Sequence, residues 1–266
     1  MTAARARRRG IIGKIAGWDI TSAVYVSTFL VTQDLNPRDV TFSPDGTKMF
    51  VVGSTDDSVY RYDLSTAWGI TTASHVSTKD VKAQDWDPRS VTLSGDGTKM
   101  FVVGIENDSV YRYDLSTAWD IATASYVSLK DVLAQDVAPL GVTFSPDGTK
   151  MFVSGSGNDS VYRYDLTAAW DIATASYVSL KDVSAQSTDP YGVTFSGGGT
   201  RMFIVGPATD SVHRYDLTTA WDITTASYVS LKDVSAQSTD PLGVVFSPDG
   251  TKMFVMGSGR VYRYDL

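Results

Sequence analysis

A fourteen-residue phrase, Val40-Thr-Phe-Ser-Pro-Asp-Gly-Thr-Lys-Met-Phe-Val-Val-Gly53, returns with small changes from Val91, Val142, Val193 and Val244, each start 51 residues after the last. A fixed period of that size means supersecondary units that bury their apolar faces only against one another, in a stack or a ring. The phrase itself reads as two short strands around a tight turn. In Ser43-Pro44-Asp45-Gly46, proline presets φ, aspartate can bond its own backbone, and glycine is free to take φ > 0. The flanks are rich in Val, Phe and Thr, as pleated backbone prefers. No linker or shift of composition interrupts the period, so the 266 residues read as one domain rather than two.

Each unit parses into four strands. In the first full unit these are expected at Asp39–Ser43, Lys48–Gly53, Ser58–Asp63 and Ser74–Val81. The second, Lys48-Met-Phe-Val-Val, is apolar at successive positions, so both its faces should be buried between neighbouring sheets. The third places Arg61 and Asp63 on one face at period two, as an ion pair or as partners for nearby backbone. The fourth carries more Ser and Lys and should be the outer edge, kept from edge-to-edge pairing by its polarity. Between the third and fourth stands a tryptophan, Trp68, repeated as Trp119, Trp170 and Trp221, expected as a core plug beneath each unit. The chain opens in mid-repeat, at Trp18-Asp-Ile-Thr-Ser-Ala-Val-Tyr-Val-Ser27, and stops in mid-repeat at Val261-Tyr-Arg-Tyr-Asp-Leu266. The two halves make one unit, giving five in all.

Four antiparallel strands per 51-residue unit in tandem is the pattern of an all-β, five-bladed β-propeller. The phrase Phe-Ser-Pro-Asp-Gly-Thr-Lys-Met-Phe-Val resembles the inner hairpin of WD40-like and YVTN-type propeller repeats. Ser58-Val-Tyr-Arg-Tyr-Asp-Leu64 sits where those families have a third strand ending in Asp. No Gly-His pair precedes the first strand, and Tyr-Asp replaces Trp-Asp. The run Val-Tyr-Arg-Tyr-Asp-Leu-Ser-Thr-Ala-Trp-Asp is similar to repeats in uncharacterised bacterial and phage proteins, virion fibre components among them. The resemblance implies a propeller over 17–266, and the complementary half-units imply that its last blade, about 243–266, is completed by an N-terminal strand at about 24–31. It carries no activity with it.

Charge divides the chain unevenly. Arg5, Arg7, Arg8, Arg9 and Lys14 are five of the 23 basic residues, and no acid accompanies them in 1–16. This basic arm is suited to phosphate groups or an acidic partner. The other 250 residues carry all 30 acids and a net charge of −12, which argues against nucleic acid as the partner of the body. Ile11-Ile-Gly-Lys-Ile-Ala-Gly17 is too short and too interrupted for the apolar region of a signal peptide, and no run reaches the ~20 apolar residues of a membrane-spanning helix. With no cysteine, neither disulfides nor thiolate metal sites arise.

Chemistry at one centre needs asymmetry. A glycoside-acting enzyme needs two carboxylates in unlike environments at one spot. Most acids here belong to the repeat: Asp45, Asp96, Asp147 and Asp249 in the turn, and Asp63, Asp114, Asp165, Asp216 and Asp265 on the third strand. His75 and His213 stand where other units have tyrosine. No phosphate loop or calcium loop appears, so no cofactor or metal is expected.

Recognition is therefore sought where the units diverge. The loops between the second and third strands differ, as do those leading into each first strand, whereas the turns at the other end are near copies. The divergent end gathers Arg38, Asp85, Trp86, Asp87, Arg89, Glu106, Asn107, Asn158 and Tyr191, and Trp86 has no counterpart in any other unit. Aromatic and Arg side chains are the common anchors of an interface. The reading is a non-enzymatic binding or structural propeller, of virion or surface context, that presents this loop face to a protein partner or surface glycan. A multivalent lectin with one shallow site per blade is the alternative, and a glycoside-acting enzyme a more remote one.

Overall fold

A computed structural model describes residues 17–266; the basic arm, with Arg5, Arg7, Arg8, Arg9 and Lys14, lies outside the described residues. Five four-stranded antiparallel sheets form the ring of a β-propeller. Blade 1 comprises β2 (Pro37–Phe42), β3 (Lys48–Gly53), β4 (Ser58–Leu64) and β5 (Ala73–Asp80). Blades 2, 3 and 4 repeat this order over 88–131, 139–182 and 192–233. The first strand starts earlier than the sequence suggests because a bulge between Pro37 and Asp39 admits proline at the strand's first position.

Blade 5 is made from both ends of the chain. Its strands β18 (Pro241–Phe246), β19 (Lys252–Gly257) and β20 (Arg260–Asp265) take β1 (Val24–Leu30) as their outer partner, running from Val24 opposite Asp265 to Leu30 opposite Arg260. This is the expected closure.

The second strand explains the core. Along β3 the side chains alternate between neighbours: Phe50 and Val52 pack with Met100 and Val102 of blade 2, and Met49 and Val51 with Phe254 and Met256 of blade 5. Five such interfaces make a continuous ring of apolar packing, with every β3-type strand buried from its second residue onward.

The repeated tryptophans are wedges between blades rather than plugs beneath them. Trp68 packs on Phe42 of its own blade and Phe254 of the preceding one, with ring centroids 5.5 and 5.8 Å away. Its amide donates to Gly46 O at 2.8 Å, and the indole lies over Gly46, where any Cβ would overlap it. Gly46 has φ +69°, so the turn requires glycine twice over.

The Arg–Asp motif is both an ion pair and a backbone clasp. Arg61 forks onto Asp63 through Nε and Nη2, each at 2.9 Å. In the later blades the remaining nitrogen reaches across the interface: Arg163 to Trp221 O, Arg214 to Trp18 O, and Arg263 to Trp68 O, at 3.3–3.4 Å. Blade 5 is thereby tied to blade 1.

The outer strands depart from the sequence reading. They are exposed, as expected, but not predominantly polar: Tyr126, Val127 and Leu129 in blade 2, and their counterparts in blades 3 and 4, face solvent, while blade 1 shows only Val76. Part of their lysine charge is turned elsewhere, Lys79 Nζ donating to Ala124 O of the next blade at 2.8 Å.

Candidate partner-binding face

Antiparallel alternation sends the divergent loops to one end of the ring. There the first strand of each blade begins, and its opening residues line the mouth of the axial channel. The residue after the repeat proline is Arg38, Arg89, Leu140, Tyr191 and Leu242 in turn. The residue after that is Asp39, Ser90, Gly141, Gly192 and Gly243. The sequence reading placed Arg38, Arg89 and Tyr191 together, and the fold does the same.

Their environments differ. Arg38 donates from Nε to Ser54 Oγ at 2.9 Å, while burial, then the nearby Arg89, lowers its pKa. Arg89 pairs with Asp87 and is only 11% exposed at the side chain, so it is part of the packing of the face. Tyr191 has its hydroxyl pKa raised, chiefly by burial.

Beneath the mouth lies a feature the sequence reading overlooked. Asp39 is the lone acid at its repeat position, and it sits in the axial channel among Val40, Val91, Val142, Val193 and Val244. It accepts hydrogen bonds from Ser90 Oγ, Val40 N and Val91 N. Burial nevertheless pushes its pKa up to about 7, because the hydrogen bonds only partly offset the loss of bulk water around the charge. The channel there has a cavity of about 30 Å³, room for a water or two and for nothing larger. The signal was present in the sequence as Asp, Ser, Gly, Gly, Gly at one repeat position.

Off the axis, the divergent loops of blades 1 and 2 form an open cleft of about 520 Å³. It is lined by Asn36, Arg38, Lys82, Trp86, Asp87 and Glu106, among others. Trp86 stands there 58% exposed. Four of the residues picked out from sequence, Arg38, Trp86, Asp87 and Glu106, thus share one surface.

Of the other five, Arg89 and Tyr191 lie at the channel mouth described above, and three lie elsewhere. Asp85 is a correction: it is 2% exposed and offers no binding surface. Its carboxylate accepts from Asp87 N and Tyr111 Oη, and it holds one loop under the other. Asp34 and Asp136 do the same in their blades, accepting from Tyr60 and Tyr162 and from amides of the neighbouring loop. The two sets of divergent loops are therefore clasped pairs, not independent ones. Blade 4 replaces both partners at once, Ser187 for the aspartate and His213 for the tyrosine, and buried His213 has its pKa lowered by desolvation. Asn107 and Asn158 lie apart from the Trp86 cleft, on the outer wall of blades 2 and 3.

Known structures share this architecture at low identity. A protein from Lactobacillus plantarum superposes with a TM-score of 0.53 at 13% identity, over 83% of this chain and 64% of its own. A candidate 6-phosphogluconolactonase from Bacteroides uniformis gives 0.53 at 15%, over 88% and 66%. The β-propeller domain of Cps50 (Swd1) from Myceliophteria thermophila gives 0.52 at 10%, over 92% and 99%. The chain thus spans about two thirds of the length of the first two. No protein-family model and no curated protein matches the chain. The likeness is one of fold.

Proposed function

We propose that the chain is a non-catalytic binding propeller that receives a protein partner on its divergent loop face, centred on the cleft between blades 1 and 2. The observation that carries this reading is the convergence of Arg38, from the start of β2, and of Trp86, Asp87 and Glu106, from two loops, on one open cleft. An exposed indole beside a guanidinium on a clasped, rigid frame is the composition of an interface anchor. The axial carboxylate lends no support to glycoside chemistry. Asp39 has the raised pKa of a general acid, but its cavity of about 30 Å³ excludes a sugar ring.

A photo-crosslinking side chain placed at position 86 tests this against one at Ala67, which is exposed in the segment at the opposite end. The expected result is a defined crosslinked protein from position 86 alone, competed by wild-type chain and not by Trp86→Ala. Equal crosslinking from both positions would overturn the reading.

A further inference from the structure

We infer that blades 2 and 3 carry two equivalent saccharide-binding clefts on the outer wall, each built around an exposed tyrosine. The clefts are distinct from the Trp86 cleft, although Gln84 and Asn107 lie on the same loops as Trp86 and Glu106. In blade 2 a cleft of about 470 Å³ is lined by Gln84, Asn107, Tyr111, Tyr126, Leu129 and Asp131, with smaller neighbours. In blade 3 a cleft of about 370 Å³ is lined by Gln135, Asn158, Tyr162, Tyr177 and Leu180. Every residue lining the blade 3 cleft has its counterpart one repeat earlier in the blade 2 cleft, which Ser109 and Asp131 extend.

The ring at the centre is exposed and held. Tyr126 and Tyr177 are each 43% exposed. Each meets a buried tyrosine edge-on, Tyr113 and Tyr164, with centroids 6.0 Å apart and planes at 69° and 68°. A ring fixed this way loses little freedom on receiving a ligand. Beside it Leu129 or Leu180 extends the apolar floor.

The polar rim is fixed as well. Asn107 Nδ2 donates to Gln84 O at 3.3 Å, and Asn158 Nδ2 to Gln135 O at 3.1 Å. That orients each asparagine and leaves its Oδ1 as an acceptor. Gln84 Oε1 accepts from Tyr113 Oη at 3.1 Å, and Gln135 Oε1 from Tyr164 Oη at 3.1 Å. That leaves each glutamine Nε2 as a donor. A donor amide and an acceptor amide, set beside an aromatic ring, suit a ligand with an apolar C–H face and vicinal hydroxyls. A pyranose is that ligand. No Arg or Lys lines either cleft, so phosphate and carboxylate groups have nothing to pair with there.

The other blades break the set. Blade 1 has Asp56, His75 and Thr78 at the corresponding positions, and blade 4 has Thr209 and His213. Blade 5 keeps Tyr25 against Tyr264, but its loop is shortened to Ser258-Gly-Arg260. Two sites on one rigid ring favour a repeated glycan over a free monosaccharide.

The test is retention of the intact chain on a printed array of hexose- and N-acetylhexosamine-terminated oligosaccharides. Wild type is expected to bind at least one class at high print density. Tyr126→Ala, which leaves one cleft, should weaken that binding by ~100-fold, the scale of lost avidity for linked sites. Tyr126→Ala with Tyr177→Ala should abolish it at an unchanged melting temperature. Asn107→Ala with Asn158→Ala gives a second route to the same loss should the tyrosine pair disturb folding. Trp86→Ala should bind glycans as wild type does, which separates this surface from the loop face. The inference fails if wild type binds no saccharide on the array, or if the double tyrosine variant binds undiminished. It fails too if sedimentation shows a dimer that the tyrosine variant loses, since the clefts would then be an interface between copies.

Discussion

Asp39 Oδ2 accepts a hydrogen bond from Ser90 Oγ at 2.5 Å, and the two residues hold the same position in successive repeats. One repeat supplies the acid and the next its donor. A third repeat supplies the space, because a Cβ on Gly243 would overlap Asp39 Oδ1. Five aspartates could not share this ring, so the axis is where the repeat must differ from itself.

The raised pKa of Asp39 makes stability depend on pH in a defined direction. The folded state holds a proton on Asp39 up to about pH 7, whereas the unfolded chain releases it near 3.8. The contribution is full below pH 4 and is lost as pH rises through 7. Between pH 5 and pH 8 the loss should be about 2–3 kcal/mol, or several degrees of melting temperature. Asp39→Asn, which cannot titrate, should flatten the curve. Parallel melting curves for wild type and variant over pH 5–8 would show that the carboxylate is not carrying the effect.

The turn aspartates titrate oppositely. Asp45 accepts from Ser43 Oγ at 2.6 Å and from Thr47 N and Oγ1 at 3.0 and 2.8 Å, and these bonds, that from Ser43 foremost, hold its pKa at about 2. Blade 4 lacks the residue: its turn reads Ser196-Gly197-Gly198-Gly199, and a Cβ at Gly198 meets nothing. Gly198→Asp should therefore stabilise by about 0.5–1.5 kcal/mol at neutral pH. The part of the gain that comes from the carboxylate's hydrogen bonds should shrink as pH falls from 4 towards 2. A thermal melt at pH 7 and another at pH 2.5 check both halves of the expectation.

Removing residues 1–32 should cost far more. It takes away β1 together with Ile20, Ala23 and Val31, each buried in an interblade core. It also removes Trp18, whose carbonyl Arg214 binds and whose indole covers Gly250. The loss should exceed about 3 kcal/mol, the value of one large buried side chain, and lower the melting temperature by more than roughly 6 °C. An unchanged transition would mean that the ring does not depend on its closure.

Trp86→Ala should leave the melt within about 0.5 kcal/mol of wild type, since it removes a mostly exposed side chain. Arg89→Ala should not be so mild, because it strips a packed guanidinium from Asp87. Differential scanning calorimetry of the two variants distinguishes a surface anchor from a residue that holds the face together.

The fold was legible because each unit states it again: turn, buried strand and Arg–Asp strand recur at one spacing, and the half-units at Trp18 and Val261 point to each other. The axial site was harder to read. A search for repeated carboxylates passes over Asp39, whose importance lies in being the exception. Asp85 looked available because it neighbours Trp86, yet Tyr111, 26 residues further on, draws it inward. Such loop-to-loop clasps leave no local period. The outer wall was read as polar from its Ser and Lys content, but alternate side chains on an edge strand need no partner to remain exposed, and Tyr126 and Leu129 do so.

The closure of blade 5 also sets a timetable. Thr28 Oγ1 bonds to Val261 O, 233 residues later in the chain. At roughly 5–20 residues per second, a ribosome takes on the order of ten to fifty seconds to cover that interval. Through it Val24, Tyr25 and Val26 wait without their strand partner while four complete sheets are made beside them. Of the described strands, the first made is thus the last to be used, and the nascent chain has to be kept from spending that edge on a neighbour.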